Sequence, residues 1–556
     1  MFNKILLELQ KKDYKTFIIP CNDRFFSEYV NDSNNLLKYF INFSGSNGLA
    51  IISKDKKAFF TDGRYMQQAQ IEIDSSFEIL NFNEMSPEIW LKQNNIEQIV
   101  FDPLLHTNNN IAKLYKNIKT IPYENLLIQY LPLATQRKLE IYPHLIKYAG
   151  EAFESKIVRV IAKFSTDILF ITNAESISWL LNLRSNEIEF CPTLLSHAFI
   201  WHSGEIVIFL KNHDDLKIDN VTFYSLDYLP EYIKKIDNKI VQIDPETCCV
   251  AYEDLFKNYI KRTDPILELK AIKNNIEIKG AKRAHLLDGL AVIKFLYLLE
   301  NKRKFDEYTA AEALLAIRSS SKEFQFPSFA TISAFASNGA IIHYNPKKES
   351  AKKISIDNLY LLDSGGHYLS GTTDITRVIH LGKPTKEHKK FYTLVLKGHL
   401  ALLKAVFPSG TTGSEIDILA RQFLWQEGYN YPHGTGHGVG NFMNVHEGPQ
   451  RIGKNGNYPL KENMILSNEP GFYRVDDFGI RIENCMIVSK SKKQDFLKFE
   501  NLSLVPYEIK LIDKKLLNPQ EIESINQYHK RIYNIYAKHL KDNNIMQWLF
   551  KKCQKI

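Results

Sequence analysis

Cysteine is scarce in this sequence, and the few cysteines form no cluster. The 556 residues include six, with no CxxC pair among them: Cys21, Cys191, Cys248, Cys249, Cys485 and Cys553. Zinc clamps and disulfide frameworks rest on cysteines paired at regular intervals, so this spacing favours neither. We therefore expect reduced cysteines and a cytoplasmic location.

Long apolar runs are also missing. A membrane-spanning helix needs about 20 consecutive apolar residues, and no stretch approaches that length. Charged residues interrupt the opening stretch MFNKILLELQKKDYK before an apolar core of signal-peptide length develops. Neither a membrane partner nor a secretory signal is expected.

No block of a single charge stands out. The formal net charge is +8, from 71 lysines and arginines against 63 aspartates and glutamates. This excess has two interpretations, an acidic partner such as nucleic acid or a lysine-rich solvated surface. The lysines are scattered along the chain, which favours the solvated surface, and no nucleic-acid partner is expected.

The length exceeds what one hydrophobic core supports and predicts three domains, at residues 1–139, 140–264 and 265–556. The first contains strand-like segments such as KTFIIP and GLAIIS, which indicate an α/β domain. The second begins with a predicted helix over Lys147–Phe164 and continues with DILFIT and KIVQIDP. Its elements follow the same order, so we interpret it as a diverged copy of the first. His197 and His202 are interpreted as core or edge residues.

The third domain alternates helices and strands twice. Apolar residues recur at helical spacing from Ile266 to Glu300, and Glu307–Ser320 predicts a second helix. Strand-like segments follow at Thr331–Ala336, Ala340–Tyr344 and Tyr360–Asp363. This repetition predicts a pseudo-twofold α+β fold in which each half supplies residues to one central site. The tail from about Asn518 is predicted to be helical; a packing helix is favoured over membrane contact.

Two aspartates mark the stretch YLLDSGGHYLSGTTDITRVIHL. Asp363 ends one apolar strand-like run, and Asp374 opens the next. Carboxylates beside aliphatic side chains need a partner, because an unpaired buried charge costs several kcal/mol. Taken alone, the pattern also fits a surface hairpin with two solvated aspartates.

Three further residues extend the set toward a metal centre. His437 lies in HGTGHGVG, Glu469 in SNEPGFY and Glu483 in GIRIEN. One imidazole and four carboxylates suit hard or borderline divalent ions. Four negative charges are too many for one small ion and fit two ions that share carboxylates.

These motifs, in this order, resemble the pita-bread metallopeptidases, and within them the three-domain aminopeptidase P (Xaa-Pro aminopeptidase) family. ASNGAIIHYNP and HGTGHGVGNFMNVHEGP carry the same resemblance. It implies two creatinase-like α/β domains followed by a pita-bread catalytic domain, and a homodimer. Two segments, INFSGSNG and AFASNG, differ from the usual sequence pattern of the family, but neither contains a proposed metal ligand.

The resemblance also implies how the ligands divide. Asp363 would bind one ion, His437 and Glu469 the other, and Asp374 and Glu483 would bridge the pair. Water between two divalent ions has a lowered pKa and can attack a peptide carbonyl as hydroxide. The oxygen-rich ligand set favours Mn²⁺, with Co²⁺, Fe²⁺ and Zn²⁺ left open.

Five other residues fall on motif positions that the resemblance associates with substrate. His343, His433 and His446 would bind the tetrahedral oxyanion or substrate carbonyls. Arg481 lies two residues before Glu483, which predicts the same strand face, and the resemblance implies that it orients a carboxylate or substrate. Tyr473 would supply a hydroxyl beside the site. For Arg481 and Tyr473 a purely structural role remains an equal alternative.

The expected activity is metal-dependent release of the first residue from peptides with proline at the second position. A prolidase, which cleaves the Xaa-Pro dipeptide, would share all five ligands, but the chain length favours the three-domain aminopeptidase. A methionine aminopeptidase would lack the first two domains. A catalytically inactive binding module of this fold would have lost ligands, and creatinase-like relatives work without metal.

Overall fold

The computed structural model of the chain describes residues 2–131, 139–211, 216–302 and 304–556. It divides into two compact units, one of Met1–Ile146 with Glu151–Leu267, the other of Lys147–Gly150 with Glu268–Ile556. The domain boundaries at residues 139/140 and 264/265 remain predictions, and residues 132–138 lie outside the described part.

The first half of unit 1 is built on a six-stranded mixed sheet. Its strands are β1 Thr16–Pro20, β2 Leu49–Ser53, β3 Lys57–Thr61, β4 Glu78–Asn81, β5 Gln98–Phe101 and β6 Lys119–Pro122. Its helices are α1 Phe2–Gln10, α2 Leu36–Ile41, α3 Met66–Glu72, α4 Pro87–Gln93 and α5 Asn108–Leu114, with 3-10 turns at Asp32–Asn34 and Ile128–Tyr130. The order is β4-β3-β2-β1-β5-β6, antiparallel at β1/β2 and β2/β3 and parallel elsewhere.

The second half of unit 1 repeats this arrangement. Its strands are β7 Ile141–Pro143, β8 Ile168–Ile171, β9 Leu183–Ser185, β10 His197–Trp201, β11 Ile206–Leu210, β12 Val221–Ser225, β13 Val241–Ile243 and β14 Tyr259–Lys261. A short helix, α6 Ile146–Ala149, falls after its first residue in the Lys147–Gly150 segment of unit 2. The helices of this half are α7 Phe153–Ile161, α8 Ala174–Leu180, α9 Leu229–Lys235 and α10 Val250–Glu253, with a 3-10 turn at Leu226–Tyr228. The order β12-β11-β10-β8-β13-β14 has the same sequence of strand directions as the first sheet, as a second copy requires.

The single helix predicted over Lys147–Phe164 is wrong. Gly150 interrupts it with a φ of +74°, a left-handed conformation that L side chains rarely adopt. A Cβ at this position would also overlap the side chain of Asn274. The chain therefore leaves α6 at Ala149 and starts α7 at Phe153.

Unit 2 contains the long helices and the remaining fourteen strands of the described residues. Its helices are α11 Ile266–Ala271, α12 Asn275–Lys302, α13 Glu307–Ser319, α14 Lys386–Leu403, α15 Gly413–Trp425, α16 Pro519–Tyr536 and α17 Asn543–Lys552. The 3-10 turns are Ala336–Ala340, Ile509–Leu511 and Lys514–Leu516. The strands are β15 Phe324–Pro327, β16 Ile332–Phe335, β17 Leu359–Ser364, β18 Gly366–Tyr368, β19 Gly371–Thr372, β20 Ile375–His380, β21 Val406–Pro408, β22 Gly436–Gly438, β23 Glu447–Ile452, β24 Ile465–Asn468, β25 Gly471–Arg474, β26 Phe478–Arg481, β27 Asn484–Lys490 and β28 Phe496–Asn501.

Two sheets of unit 2 carry the site. One has the order β16-β17-β20, the other β21-β28-β27-β24-β22-β23. Reciprocal caps begin the flanking helices: Asp306 with Thr309 at α13, and Thr412 with Glu415 at α15. These caps satisfy backbone N–H groups that a helix start leaves unpaired.

One strand predicted for this unit is wrong. Residues 340–344 follow the 3-10 turn Ala336–Ala340 as a further turn. The Ile341 N–H donates to the Asn338 carbonyl at 3.0 Å, and the Tyr344 N–H donates to the Ile341 carbonyl at 3.1 Å. Local bonds thus replace a sheet partner, and His343 is presented from a turn.

The C-terminal helices are packing elements. Ile525 and Ile532 of α16 and Leu549 of α17 are fully buried in the main core of unit 2. Elsewhere in that core the rings of Phe391 and Phe472 stack at 3.8 Å. In the described part of the chain, every helix is too short or too polar to traverse a bilayer.

Candidate metal centre

Two buried aspartates lie on neighbouring strands at the centre of unit 2. β17 and β20 pair antiparallel, with Asp363 opposite Thr376, and Asp374 directly precedes β20. Asp363 is 7% exposed and Asp374 is 4% exposed. Each has one carboxylate oxygen, Oδ1, for which the described residues provide no hydrogen-bond partner. Buried unpaired carboxylate oxygens are costly, and a cation would satisfy them.

His437 faces these carboxylates with one ring nitrogen. Its Nδ1 lies 2.8 Å from the Gly438 carbonyl oxygen, which only accepts, so Nδ1 carries the proton. In the neutral ring this leaves the lone pair on Nε2, and Nε2 lies 3.4 Å from both Asp374 Oδ2 and Glu469 Oε1. A histidine held this way is a ready metal ligand.

Glu483 completes the group on the side of Asp374. Ligand atoms of Asp374, His437 and Glu483 all lie within 4.8 Å of one another. Burial raises the pKa of Glu483 well above its usual range, and the negative charge of Asp374 adds to that shift. Burial likewise raises the pKa of Asp374, with help from the charges of Asp363 and Glu469. This crowding of carboxylates around one imidazole nitrogen fits divalent metal ions.

Two hydroxyls that the sequence analysis did not identify hold these ligands in place. Thr376 Oγ1 donates to Glu483 Oε2 at 2.7 Å. Ser467 Oγ donates to Glu469 Oε1 at 3.1 Å and accepts from the His437 backbone N–H at 3.0 Å. Thr376 lies two residues after Asp374, and Ser467 lies two residues before Glu469. Residues i and i+2 share a strand face, so this spacing could have indicated that both hydroxyls lie near the ligands.

Glycine is required where the histidine strand meets its neighbour. A Cβ at Gly436 would overlap the backbone carbonyl oxygen of Ser467 on β24. Gly438 pairs with Leu466 of the same strand. This close approach places His437 beside Ser467 and Glu469, so the glycines around His437 serve packing of the site.

Arg481 connects the metal centre to two aromatic residues. Its Nη2 donates to Asp363 Oδ2 at 2.6 Å and its Nε to the same oxygen at 3.0 Å. Its Nη1 donates to Tyr473 Oη at 2.8 Å. Tyr473 Oη lies 2.8 Å from His433 Nε2, and His433 Nδ1 lies 2.7 Å from the Gly434 carbonyl. That carbonyl requires a proton on Nδ1, so the tyrosine hydroxyl donates to Nε2.

Tyr473 is suited to remain a donor. Burial raises its pKa to about 12, although the charge of Arg481 acts in the opposite direction. The phenol is therefore protonated throughout the neutral range.

Arg481 and Glu483 face the same side, as predicted, but no continuous strand joins them. Thr376 Oγ1 accepts from Arg481 Nε at 3.3 Å and donates to Glu483 Oε2 at 2.7 Å. β26 ends at Arg481, and β27 begins at Asn484. Between them the Ile482 N–H donates to the Pro470 carbonyl at 3.3 Å, and the Glu483 N–H donates to the Thr376 carbonyl at 3.2 Å. The chain therefore changes partner strands at this point, which brings Glu483 to β20.

His446 contacts a proposed metal ligand, and His343 neighbours a residue that contacts Arg481. His446 packs its ring edge-to-face against His437, with centroids 4.3 Å apart. His343 follows Ile342, whose carbonyl oxygen accepts from Arg481 Nη2 at 3.3 Å. Both histidines are half-buried, so each ring retains access to solvent.

Comparison with known proteins identifies related chains along nearly the whole length. Residues 3–129 and 133–277 match two models of the creatinase/prolidase N-terminal domain, residues 279–490 match metallopeptidase family M24, and residues 495–556 match the C-terminal region of that family. Aminopeptidase P1 of Lotus japonicus is 32% identical over 97% of this chain and 96% of its own. Xaa-Pro aminopeptidase 1 of Dictyostelium discoideum is 36% identical over 95% of this chain and 91% of its own. The chain belongs to the aminopeptidase P family of metallopeptidases.

A solved structure agrees with this assignment. The crystal structure of X-prolyl aminopeptidase from Caenorhabditis elegans, described as a cytosolic enzyme with a di-nuclear active site, superposes with a TM-score of 0.94. It is 32% identical and covers 98% of this chain and 95% of that one. The predicted fold class, two creatinase-like α/β domains and a pita-bread catalytic domain, is confirmed. Prolidase from Pyrococcus horikoshii, at 24% identity and a TM-score of 0.52, shares the fold over 64% of this chain.

Proposed function

We propose that this chain is a metal-dependent aminopeptidase that hydrolyses the first peptide bond of substrates with proline at the second position. The supporting observation is His437 Nε2, which lies 3.4 Å from carboxylate oxygens of both Asp374 and Glu469. Full-length relatives named Xaa-Pro aminopeptidase add support. The length over which they align favours this activity over that of a prolidase.

The proposed cofactor is a pair of divalent ions, held by the five residues Asp363, Asp374, His437, Glu469 and Glu483. Asp363 would bind one ion, His437 and Glu469 the other, and Asp374 and Glu483 would be shared. When bound, such ions lower the pKa of water and polarise a carbonyl. Mn²⁺ is our first choice because oxygen ligands predominate, and Co²⁺, Fe²⁺ and Zn²⁺ are the alternatives to test.

The chain's own residues would then bind the reacting peptide. His343 would donate a hydrogen bond to the oxygen that gains negative charge at the scissile carbonyl, and His433 and His446 would bind neighbouring substrate carbonyls. Arg481 holds Asp363 through Oδ2 and Tyr473 through Oη. Asp363 would be the carboxylate that accepts the substrate's free amine.

The preference for proline has a steric and a hydrogen-bonding basis. An Xaa-Pro bond has no N–H, and the proline ring fixes φ. A site for it therefore needs a compact surface against which the ring packs. It must also have no hydrogen-bond acceptor that would require an amide proton from the substrate. The rings of His433 and His446 would supply that wall while their nitrogens bind carbonyls on either side. His433 already packs its ring against Tyr473, with centroids 5.4 Å apart.

A substrate panel tests this proposal. Metal-loaded protein should release the first residue from Xaa-Pro-Xaa peptides, with tripeptides or longer peptides preferred over the Xaa-Pro dipeptide. Replacing the proline by alanine should lower kcat/KM at least about tenfold, about 1.4 kcal/mol. Equal turnover of Xaa-Ala and Xaa-Pro peptides would contradict the proposal, and preference for the bare dipeptide would support a prolidase.

A second experiment tests the shared ligands. Asp374→Asn removes one charge at constant volume, so the variant should keep its fold and lose one ion together with most of its activity. Elemental analysis of the purified variant measures this directly. Two full equivalents of metal in Asp374→Asn would refute the bridging assignment.

We also propose that the protein is a homodimer, as the family resemblance implies, and that it is cytoplasmic, as the spacing of its few cysteines favours. Light scattering at micromolar concentration should give twice the mass of the 64.5 kDa chain. The mass of a single chain would remove the claim of a dimer.

A further inference from the structure

A buried arginine outside the metal centre faces the loop that carries His433. Arg421 lies on α15, one helical turn after Asp417, and is 7% exposed. The loop leaves α15 after Trp425 and reaches β22 at Gly436. Neither the sequence motifs nor the proposed chemistry gives Arg421 a role.

The guanidinium of Arg421 holds the backbone of this loop at two points. Nη1 donates to the Tyr431 carbonyl at 2.9 Å, and Nη2 donates to the His433 carbonyl at 2.7 Å. Nη1 also donates to Asn430 Oδ1 at 2.9 Å. The guanidinium carbon lies 3.9 Å from the centre of the Tyr431 ring, so the loop wraps around the side chain.

Asp417 fixes the guanidinium from the other side. Its Oδ2 accepts from Arg421 Nε at 2.7 Å, and its Oδ1 accepts from the Thr435 hydroxyl. Tyr431 Oη lies 2.6 Å from Thr435 Oγ1, whose proton goes to Asp417, so the tyrosine donates here. Both ends of the segment from Tyr431 to Thr435 are thereby tied to α15.

The held segment leads directly to the proposed substrate-binding groups. The ring of His433 extends to Tyr473 Oη at 2.8 Å, and Tyr473 accepts from Arg481. At its other end, the Thr435 carbonyl accepts from the backbone N–H of Glu469 at 2.8 Å. The backbone of the loop at His433 therefore cannot shift without breaking bonds to α15.

We propose that Arg421 is a positioning residue for His433: by holding the carbonyls of Tyr431 and His433 from α15, it sets the imidazole where Nε2 meets Tyr473. This inference rests on the proposed function for its effect on turnover, although its effect on geometry is independent of any activity. Arg421 itself touches neither the metal ligands nor the expected position of the substrate. It acts only through the loop.

Lysine is the informative replacement at this position. It keeps a positive charge beside Asp417 but offers one ammonium in place of a planar fork, so it cannot hold Asp417 and both carbonyls together. In Arg421→Lys we expect the His433 Nε2 to Tyr473 Oη distance, 2.8 Å here, to lengthen beyond hydrogen-bonding range in a crystal structure. Misplacement of about 1 Å lowers rates by up to about a hundredfold, so kcat/KM should fall between about ten- and a hundredfold.

A double-mutant cycle separates positioning from general loosening. If Arg421 acts through His433, Arg421→Lys should change kcat/KM by less than about twofold when it is introduced into His433→Ala protein. A purely structural role would give the same loss in both backgrounds. The matched control is Arg184→Lys in unit 1, another buried arginine that donates to backbone carbonyls, those of Ser178 and Leu183. The control should lower thermal stability and leave kcat/KM unchanged.

The outcomes are distinct. An unchanged His433–Tyr473 distance in Arg421→Lys, or additive losses in the cycle, would overturn the inference. If wild-type protein fails to cleave Xaa-Pro peptides, the proposed function fails, and the crystal structure still decides the positioning role. If Arg421→Lys does not fold, Asp417→Asn replaces it, because asparagine keeps the size of the side chain and weakens the hydrogen bond to Arg421 Nε. We then expect a longer His433–Tyr473 distance and a loss of kcat/KM, both smaller than those predicted for Arg421→Lys.

Discussion

Arg481 and Asp363 form a buried ion pair in which both Nε and Nη2 donate to the same oxygen, Oδ2, at 3.0 and 2.6 Å. The other oxygen, Oδ1, is left without a hydrogen-bond partner among the described residues. The arginine therefore orients Asp363 so that one oxygen remains available for a cation. It does so while its Nη1 holds Tyr473.

The first prediction concerns this arginine. Arg481→Lys keeps the charge but cannot bind Asp363 and Tyr473 together, so kcat should fall at least about tenfold. Metal content should be retained, because the ligands themselves are unchanged. Steady-state kinetics and elemental analysis test both parts, with Arg283→Lys, a half-exposed arginine paired with Glu323, as the control. Wild-type kcat in Arg481→Lys would contradict a role at the reacting centre.

The second prediction concerns Ser467, which connects Glu469 to the backbone of His437. Ser467→Ala removes a donor that orients a ligand, and such losses typically weaken metal affinity by about 10- to 100-fold. Titration of metal-depleted protein in a buffered series of Mn²⁺ concentrations measures the change. Ser489→Ala on β27 is the matched control, because the described residues give the Ser489 hydroxyl no partner. Equal affinities in the two variants would exclude the orienting role.

The third prediction separates transition-state binding from substrate binding. If His343 donates to the developing oxyanion, His343→Ala should lower kcat by about 10²- to 10³-fold and change KM little. Metal content should equal that of the wild type. A kcat within twofold of wild type would make His343 a structural residue of its turn.

The fourth prediction concerns pH and stability in unit 1. His197 on β10 is fully buried between the rings of Phe25 and Tyr252, at 4.9 and 5.3 Å, and neither ring nitrogen has a hydrogen-bond partner among the described residues. Burial lowers its pKa to about 3, with a further contribution from the charge of Arg24. Its role as a core residue was expected from the sequence.

Because this pKa is lower in the folded state than the usual value near 6.5, the unfolded chain binds the extra proton first. The stabilisation is complete above pH 6.5 and is lost as the pH falls toward 3. At pH 5 the loss should be about 2 kcal/mol. His197→Phe should remove this pH dependence. Urea unfolding should therefore show that the free energy of unfolding of the variant rises relative to that of wild type as the pH is lowered from 7 to 5. A pH-independent difference would contradict a neutral buried imidazole.

Several features were accessible from sequence because they are local. The apolar runs that end at Asp363 and resume at Ile375 predict the two strands. This prediction is possible because the spacing of apolar residues and the local composition depend only on residues that are close in the chain. The spacing of motifs around His437, Glu469 and Glu483 likewise carries the family resemblance without knowledge of contacts. The helix predicted at Glu307–Ser320 agrees with α13 to within one residue at each end.

Other features depend on partners that are distant in the chain. Only the tertiary structure shows that the Glu483 N–H bonds to Thr376, which ends β26 at Arg481 and overrides the strand pattern of GIRIEN. The same holds for Arg421 and the loop at His433. Every residue has a backbone carbonyl, so the sequence does not show which carbonyls accept hydrogen bonds from Arg421. The sequence by itself determined which side chains could hold metal and substrate. The tertiary structure decided which lone pairs face the centre, because each orientation is set by a hydrogen bond whose two ends lie far apart along the chain.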